Sequence, residues 1–540
     1  MFRNKSVDTH KFSMVPKADI PRSSFDRQST HKTTFDSGYL VPIYCDEVLP
    51  GDTFNFSMTA FARVATPIFP IMDNLHLETF FFFVPNRLVW TNWVKFMGQQ
   101  DNPADSISYV IPQQVSPTGG YPVSSLQDYF GLPTVGAVGL SANTVSHSAL
   151  PLRAYNLIFN EWFRDENLQN SVVVDKGDGP DTTSNYSILR RGKRHDYFTA
   201  ALPWAQKGGT AVTLPLGTSA PVLSNATAFQ VRGGTGGMST MISNSGLAGS
   251  TVLTQSATTI ASPMNFGATG TTTTGLYTDL SAATAATVSQ LRQSFQIQKL
   301  LERDARGGTR YTELVRAHFG VISPDARLQR PEYLGGGSTP VNINPIAQTS
   351  ATGLTGGSTP VGTLSAMGNV VSNNNRFSQS FTEHGHVIGL MQVRADLTYQ
   401  QGLRKMWSRS TRYDFYFPEF AMLGEQAILN KEIFCDGSAN DAAAFGYQER
   451  WAEYRYLPSL ITGLFKSTSA GTIDGWHLAQ KFTALPTLNT TFIQDTPPMS
   501  RIVAVGASAN GQQFILDSLI NIRTVRPMPL YSVPGMIDHF

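Results

Sequence analysis

The chain has 540 residues, of which 41% are hydrophobic and 15% are charged, and its formal net charge at pH 7 is +2. This length predicts two to four domains, or one domain with large insertions. The charge balance does not indicate a nucleic-acid-binding protein, no segment approaches the ~20 apolar residues of a membrane helix, and two cysteines exclude a disulfide scaffold. The N-terminus lacks the apolar run of a signal peptide, and the low share of charge indicates that much of the surface faces other protein.

The first residues, 1–35, are predicted to form a basic, extended arm. Lys and Arg outnumber Asp there, and Pro16 and Pro21 discourage regular structure. We expect this arm to lie along another surface.

Strand patterns begin at Gly38 and dominate residues 36–207. Apolar residues alternate with polar ones from Phe54 to Ala60, as in a half-buried strand. The segment LHLETFFFFVP is predicted to be a second strand, whose phenylalanine run can bury both faces. Two later segments have apolar residues at near-helical spacing, NRLVWTNWVKFMG and SALPLRAYNLIFNEWFRDEN. They predict a helical insertion into a β fold.

Two long segments carry almost no charge. Arg232 is the only charged residue in 208–278, and 335–375 contains none, whereas soluble domains carry roughly 25%. Ordering about seventy residues costs on the order of 70–140 kcal/mol, which the scattered apolar side chains of 208–278 cannot offset within one chain. We therefore expect 208–278 to be ordered only by contact with other copies, and 335–375 to be a loop.

A helical segment is predicted between these two, at residues 279–334. Val288, Leu291 and Phe295 share one helical face, and Gly307 suits the end of that helix. A second short helix is predicted at 312–318. Residues 376–540 return to strand patterns. Strands in the first quarter and the last third, with insertions between them, indicate one β-sandwich interrupted in its loops.

Two clusters mix basic and aromatic side chains. LRRGKRHDYF contains Arg190, Arg191, Lys193 and Arg194, and LRKMWSRSTRYDF contains Lys405, Trp407 and Arg409. Cations neutralise phosphates and aromatic rings stack on unpaired bases, so both clusters are candidates to contact single-stranded nucleic acid. The alternative is ion pairs, within the surface or between subunits, for which Asp196 and Asp414 are available.

Motifs for catalysis are missing from the sequence. No phosphate-binding loop, HExxH, CxxC or GxSxG is present. His384 and His386 could face one metal from a strand, but two ordinary strand histidines beside a glycine are the preferred explanation, because no third ligand lies nearby on the same face. Asp414 and Glu419 lie near aromatic residues, as a glycosidase would need, without further support. We expect no enzyme activity, no metal and no cofactor.

Five long motifs in order resemble the major capsid protein of the gokushoviruses, small icosahedral single-stranded DNA phages of the microvirus family. They are FDSGYLVPIYCDEVLPGDTFNF, FNEWFRDENLQNS, RGKRHDYFTAALPWAQKG, LLERDARGGTRYTELVRAHFGV and ERWAEYRYLPSLITG. The resemblance runs from about residue 36 to the C-terminus and is weakest in the two uncharged segments.

This resemblance implies a mainly β fold, an eight-stranded antiparallel jelly roll of the viral capsid type with long loop insertions. It implies self-assembly, through pentamers, into a T=1 icosahedral shell around a circular single-stranded DNA genome. It also implies a threefold surface projection that meets a host receptor. Composition places this projection on 208–278, with Gly233, Gly234, Thr235, Gly236, Gly237, Met238 and Ser239 as candidate contacts.

Further implied partners are a small basic DNA-binding virion protein and a pilot protein, with no membrane insertion. The protein would be made in the bacterial cytoplasm and reside in the virion. Two alternatives remain from the residues alone. One is a cell-surface β-sandwich adhesin or lectin, and the other is a jelly-roll carbohydrate hydrolase.

Overall fold

The computed structural model describes residues 21–135, 138, 143–208, 288–321, 329–350, 361–504 and 512–531, with short strands between 222 and 278. The chain divides into two compact units. One consists of Met1–Ala205 and Asp304–Phe540, and the other is Gln206–Arg303. No helix within the described ranges is long and apolar enough to cross a membrane.

Two antiparallel sheets form the centre of the larger unit. The first has the order β1-β20-β3-β16-β15. Its strands are β1 (Ser23–Phe35), β3 (Thr53–Val64), β15 (Asn342–Ala347), β16 (Leu364–Ser380) and β20 (Phe514–Arg526). The second has the order β14-β4-β17-β2. Its strands are β2 (Val41–Val48), β4 (Leu75–Pro85), β14 (Glu332–Pro340) and β17 (Gly385–Ala395).

This strand order confirms the predicted jelly roll. With β15 set aside, eight strands remain, β1, β3, β16 and β20 in one sheet and β2, β4, β14 and β17 in the other. Successive strands of this set change sheet, except that β4 and β14 are neighbours in the same sheet. Every pairing in both sheets is antiparallel. Two Greek keys connected in this way are the jelly-roll arrangement.

The sheets bury one shared core, and β4 explains how the phenylalanine run is used. Phe81 and Phe83 point into the core between the sheets. Phe82 and Val84 point to the opposite side, into a second core. The covering helix of that second core is α4 (Leu150–Ile158), which continues as a π-helical turn at Phe159–Phe163. The prediction that both faces of this strand are buried is confirmed.

Two predicted irregular segments are in fact strands. Residues 23–35, assigned to the arm, pair with β20 along their whole length as the first strand of the jelly roll. The described part of the predicted loop 335–375 lies mainly in β14, β15 and β16. In 335–375 the low charge and high glycine content hide a strand pattern. At Gly336 the backbone of β4 comes so close that a Cβ atom would lie 2.0 Å from the carbonyl oxygen of Thr79, and only glycine fits there.

The long insertions follow β4 and β17. The first contains, besides α4, the helices α1 (Asn86–Val89), α2 (Trp93–Phe96) and α3 (Leu126–Tyr129) and strands β5 (Gln113–Val115) and β6 (Ser146–Ser148). The second contains β18 (Glu425–Leu429), β19 (Ala444–Glu449), α7 (Asn430–Ile433) and α8 (Thr490–Ile493). Short 3-10 turns include Thr183–Asn185, Lys405–Ser408, Arg412–Asp414, Pro418–Phe420, Ala439–Ala442, Ala452–Tyr454, Gly463–Phe465, Asp474–Trp476 and Met499–Arg501.

Both predicted helices between the uncharged segments are present, α5 (Val288–Arg306) and α6 (Tyr311–Phe319). The first ends directly before Gly307, as predicted. In the uncharged segment 208–278 the structure describes only the backbone of short strands. They are β7 (Val222–Ser224), β8 (Gln230–Arg232), β9 (Met238–Thr240), β10 (Ile242–Ser243), β11 (Leu253–Thr254), β12 (Asn265–Phe266) and β13 (Leu276–Thr278).

Candidate functional site

The first basic cluster is built into the wall of the jelly roll. Its backbone runs beside residues 38–40, where the amide of Arg191 donates to the carbonyl of Gly38 at 3.0 Å, and beside 493–495, where the amide of Asp495 donates to the carbonyl of Arg191 at 2.9 Å. The guanidinium of Arg190 lies 3.8 Å from the centre of the Tyr39 ring. This packing places the cluster on the outward face of β4 and β17.

Glu78, on β4, is the centre of that cluster. It accepts from Arg191 at 2.6 Å, from Arg194 at 3.1 Å and from Arg394 at 2.9 Å, and also from Gln392 at 3.0 Å. Burial alone would raise the pKa of Glu78, but the three guanidinium groups hold it below its ordinary value. Burial and the nearby Arg394 lower the pKa of Arg191 to about 10. The three arginines are therefore part of a structural ion cluster within the subunit.

Lys193 and Asp495 are two further buried ionisable residues in this region. The Lys193 ammonium donates to Gln480 at 2.8 Å and lies 4.0 Å from the centre of the Phe492 ring. Burial lowers its pKa to about 8. Burial likewise raises the pKa of Asp495 to about 7, and its carboxylate oxygens accept no hydrogen bond within the described part of the chain.

The second basic cluster borders a cleft of about 390 Å³. Lys405 is 3.4 Å from the carboxylate of Glu432. Arg409 is 3.2 Å from Glu453 and lies 4.5 Å from the centre of the Tyr454 ring. Aromatic and aliphatic side chains form most of the other walls, among them Tyr197, Tyr456, Leu457, Leu460 and Ile461.

The seven residues predicted to contact DNA differ in whether their side chains already contact other groups of the same chain. Six of the seven are engaged with other groups of the same chain, whereas Trp407 is 69% exposed. The acidic partners are Glu78, Asp396, Glu432 and Glu453, not the sequence neighbours Asp196 and Asp414. DNA contact by these residues stays a prediction. The sequence signal that could have revealed Glu78 is a carboxylate within a mostly apolar strand.

The other candidate residues have structural surroundings. His386 is buried in β17, and burial lowers its pKa to about 4, while His384 packs its ring against Trp93. Among the described residues no three potential ligands come together for a metal ion. Asp414 accepts from the amides of Ser410 and Thr411, and these hydrogen bonds lower its pKa to about 2.

The remaining residues are the two cysteines and the candidates for the projection. Cys45 and Cys435 are both free thiols. Gly233, Gly234, Thr235, Gly236 and Gly237 lie outside the described residues. Met238 and Ser239 lie in β9, of which only the backbone is described.

Comparison with known proteins gives matches over almost the whole chain. A sequence model of the family described as capsid protein (F protein) matches residues 13–536. The chain is 47% identical to capsid protein VP1 of Bdellovibrio phage phiMH2K and 44% identical to capsid protein VP1 of Chlamydia phage 1, with 98% of each chain covered. It is 35% identical to capsid protein VP1 of Spiroplasma virus 4, covering 98% of this chain and 97% of that one.

Proposed function

Because the chain belongs to the phage capsid protein (F protein) family, we propose that it forms a T=1 icosahedral shell, through pentamers, around a circular single-stranded DNA genome. Family membership makes it a structural capsid protein of the virion and not an enzyme, and such a protein assembles into a multimeric shell. The resemblance to the gokushovirus capsid protein is confirmed. The adhesin and hydrolase alternatives have no support.

The observation that carries the proposal is the complete eight-stranded jelly roll within a chain that a phage capsid protein matches over 98% of its length. Viral capsid domains commonly have the jelly-roll fold, and long connecting loops are available to contact neighbouring subunits. Closed symmetry then multiplies modest contacts between copies. The insertions after β4 and β17 supply such loops here.

Expression of the full chain in bacteria together with a circular single-stranded DNA genome tests this proposal. We expect icosahedral particles by electron microscopy and sedimentation, with single-stranded DNA protected from nuclease. A small basic virion protein and a pilot protein are proposed to accompany the genome. A stable monomer at micromolar concentration would contradict the shell, and particles with only unprotected DNA would contradict the genome assignment.

We further propose that 208–278 forms the threefold projection for host attachment. The support is its composition, since three identical copies packed around an axis would repel through any charge they share. We expect backbone amides of 233–249 to exchange hydrogen much more slowly in whole shells than in pentamers. Equal protection in the two states would exclude ordering by the threefold contact.

A further inference from the structure

An extended aromatic surface surrounds the cleft in the second insertion. Its exposed aromatic side chains are Trp407, Tyr413, Phe415, Tyr416, Tyr454 and Tyr456. The same two segments carry exposed aliphatic side chains, among them Met422, Leu423, Leu457, Leu460 and Leu464. Because these residues come from 407–423 and 454–464, we call them the 407–464 surface.

Ring contacts join the central part of this surface. Tyr416 lies 5.7 Å from Trp451 and 6.5 Å from Tyr454, measured between ring centroids. The guanidinium of Arg409 bridges Phe415 and Tyr454, at 5.4 and 4.5 Å from their ring centroids. Tyr454 in turn lines the cleft together with Leu457 and Leu460.

The backbone holds these side chains in place. The turn that carries Tyr413 is capped by Asp414, whose carboxylate accepts from the Thr411 amide at 2.7 Å. The indole of Trp451 donates to the carbonyl of Phe420 at 3.0 Å. A surface fixed in this way loses little conformational entropy when a partner binds.

The exposed area lies at or above the upper end of what a monomer normally shows. The six aromatic residues are 38–69% exposed. At about 150–250 Å² for each complete aromatic side chain, they present about 500–800 Å² before the aliphatic residues are added. The largest apolar patch of a typical monomer is about 300–600 Å², whereas a standard interface buries about 800 Å² per partner.

We propose that the 407–464 surface is an interface with a second copy of this chain, an inference that rests on the proposed shell. The exposed area matches the requirement of a subunit contact. The composition also fits, because aromatic residues, Met and Arg are enriched in protein interfaces. Single-stranded DNA fits less well, because three of the four cations that line the cleft are engaged within the chain. Lys405 and Arg409 are paired with Glu432 and Glu453, and Arg404 donates to the carbonyl of Pro458.

Aspartate substitutions at the most exposed aliphatic positions test this inference. Met422 is 94% exposed and Leu457 is 86% exposed, so Met422→Asp and Leu457→Asp should leave the subunit folded by circular dichroism. Burying an uncompensated charge in an interface should reduce the yield of particles by about tenfold or more in sedimentation. The matched control, Met422→Leu, keeps the position apolar and should assemble like the wild type.

A photo-crosslinking amino acid at position 422 then identifies the occupant. In assembled particles we expect a crosslinked dimer of the chain, which is absent when particles are dissociated before irradiation. A nuclease-sensitive protein–DNA crosslink instead would assign the surface to DNA. Both Asp variants forming particles at wild-type yield would overturn the inference while leaving the shell intact, whereas failure of the wild type to assemble would reject the shell itself.

Discussion

Replacing Arg153 by methionine should lower the free energy of unfolding of the subunit by about 3–5 kcal/mol, because it leaves a buried carboxylate without its cation. Arg153 and Asp181 are both fully buried. The Arg153 Nε donates to Asp181 at 2.8 Å, and its Nη1 donates to the carbonyls of Gly177 at 2.8 Å and Val89 at 3.1 Å. Urea unfolding of the dissociated full-length chain measures the loss.

The double variant Arg153→Met with Asp181→Leu separates the charge from the packing. Removing both charges should recover part of the loss, since the desolvation cost of the pair disappears with it. Tyr186, whose hydroxyl donates to Asp181, loses its partner in that variant, so recovery should be incomplete. A single variant that unfolds at the wild-type urea concentration would show that this ion pair contributes nothing.

Glu78→Gln should have an effect of similar size, about 3–5 kcal/mol at neutral pH. Glutamine keeps the shape of the side chain but leaves Arg191, Arg194 and Arg394 without the carboxylate that they share. The segment that carries Arg191 and Arg194 should then detach from β4 and β17. Chemical unfolding of the subunit, followed by intrinsic fluorescence, measures the change.

The pH dependence of that difference follows from the depressed pKa of Glu78. The folded state holds the carboxylate ionised to lower pH than the unfolded state does, so its stabilisation is fully present above the ordinary glutamate pKa. It is lost as the pH falls through the folded-state pKa. The stability difference between wild type and Glu78→Gln should therefore shrink below about pH 4.

Asp517→Asn is the control for Glu78→Gln. Asp517 pairs with Lys32 at 2.9 Å in an exposed position, where an ion pair contributes about 0–1 kcal/mol. We expect little change in unfolding from this variant at any pH. An equal loss of unfolding free energy from Asp517→Asn and Glu78→Gln would mean that burial does not strengthen the contribution of the Glu78 ion cluster.

Only part of the candidate site could be predicted from the sequence alone. Both basic clusters were visible as short runs of Arg and Lys beside aromatic residues. Their partners were not, because Glu78 precedes Arg191 by more than a hundred residues and Glu453 follows Arg409 by more than forty. Adjacent acids such as Asp196 were the natural candidates, yet the carboxylate of Asp196 accepts from the amides of Phe198 and Thr199.

The fold, like the candidate site, could be predicted from the sequence only where the signal lies in neighbouring residues. Alternating or continuous apolar residues marked β3 and β4, and helical spacing marked α5. The segments that became β14, β15 and β16 lacked a signal because glycine and uncharged polar residues favour neither a helix nor a strand. Their strand conformation depends on pairing with partners remote in the sequence, such as β14 with β4.

The sequence by itself determined the periodicity of the strongest elements, the double-sided burial of the phenylalanine run and, through its long motifs, the capsid family. Only the tertiary structure decided that residues 23–35 complete the jelly roll, that Glu78 gathers three arginines and that Trp407 lies on a broad exposed aromatic surface. The reason is physical. Periodicity is a local property of neighbouring residues, whereas strand pairing, ion pairing and exposure depend on which distant segments the closed sandwich brings together.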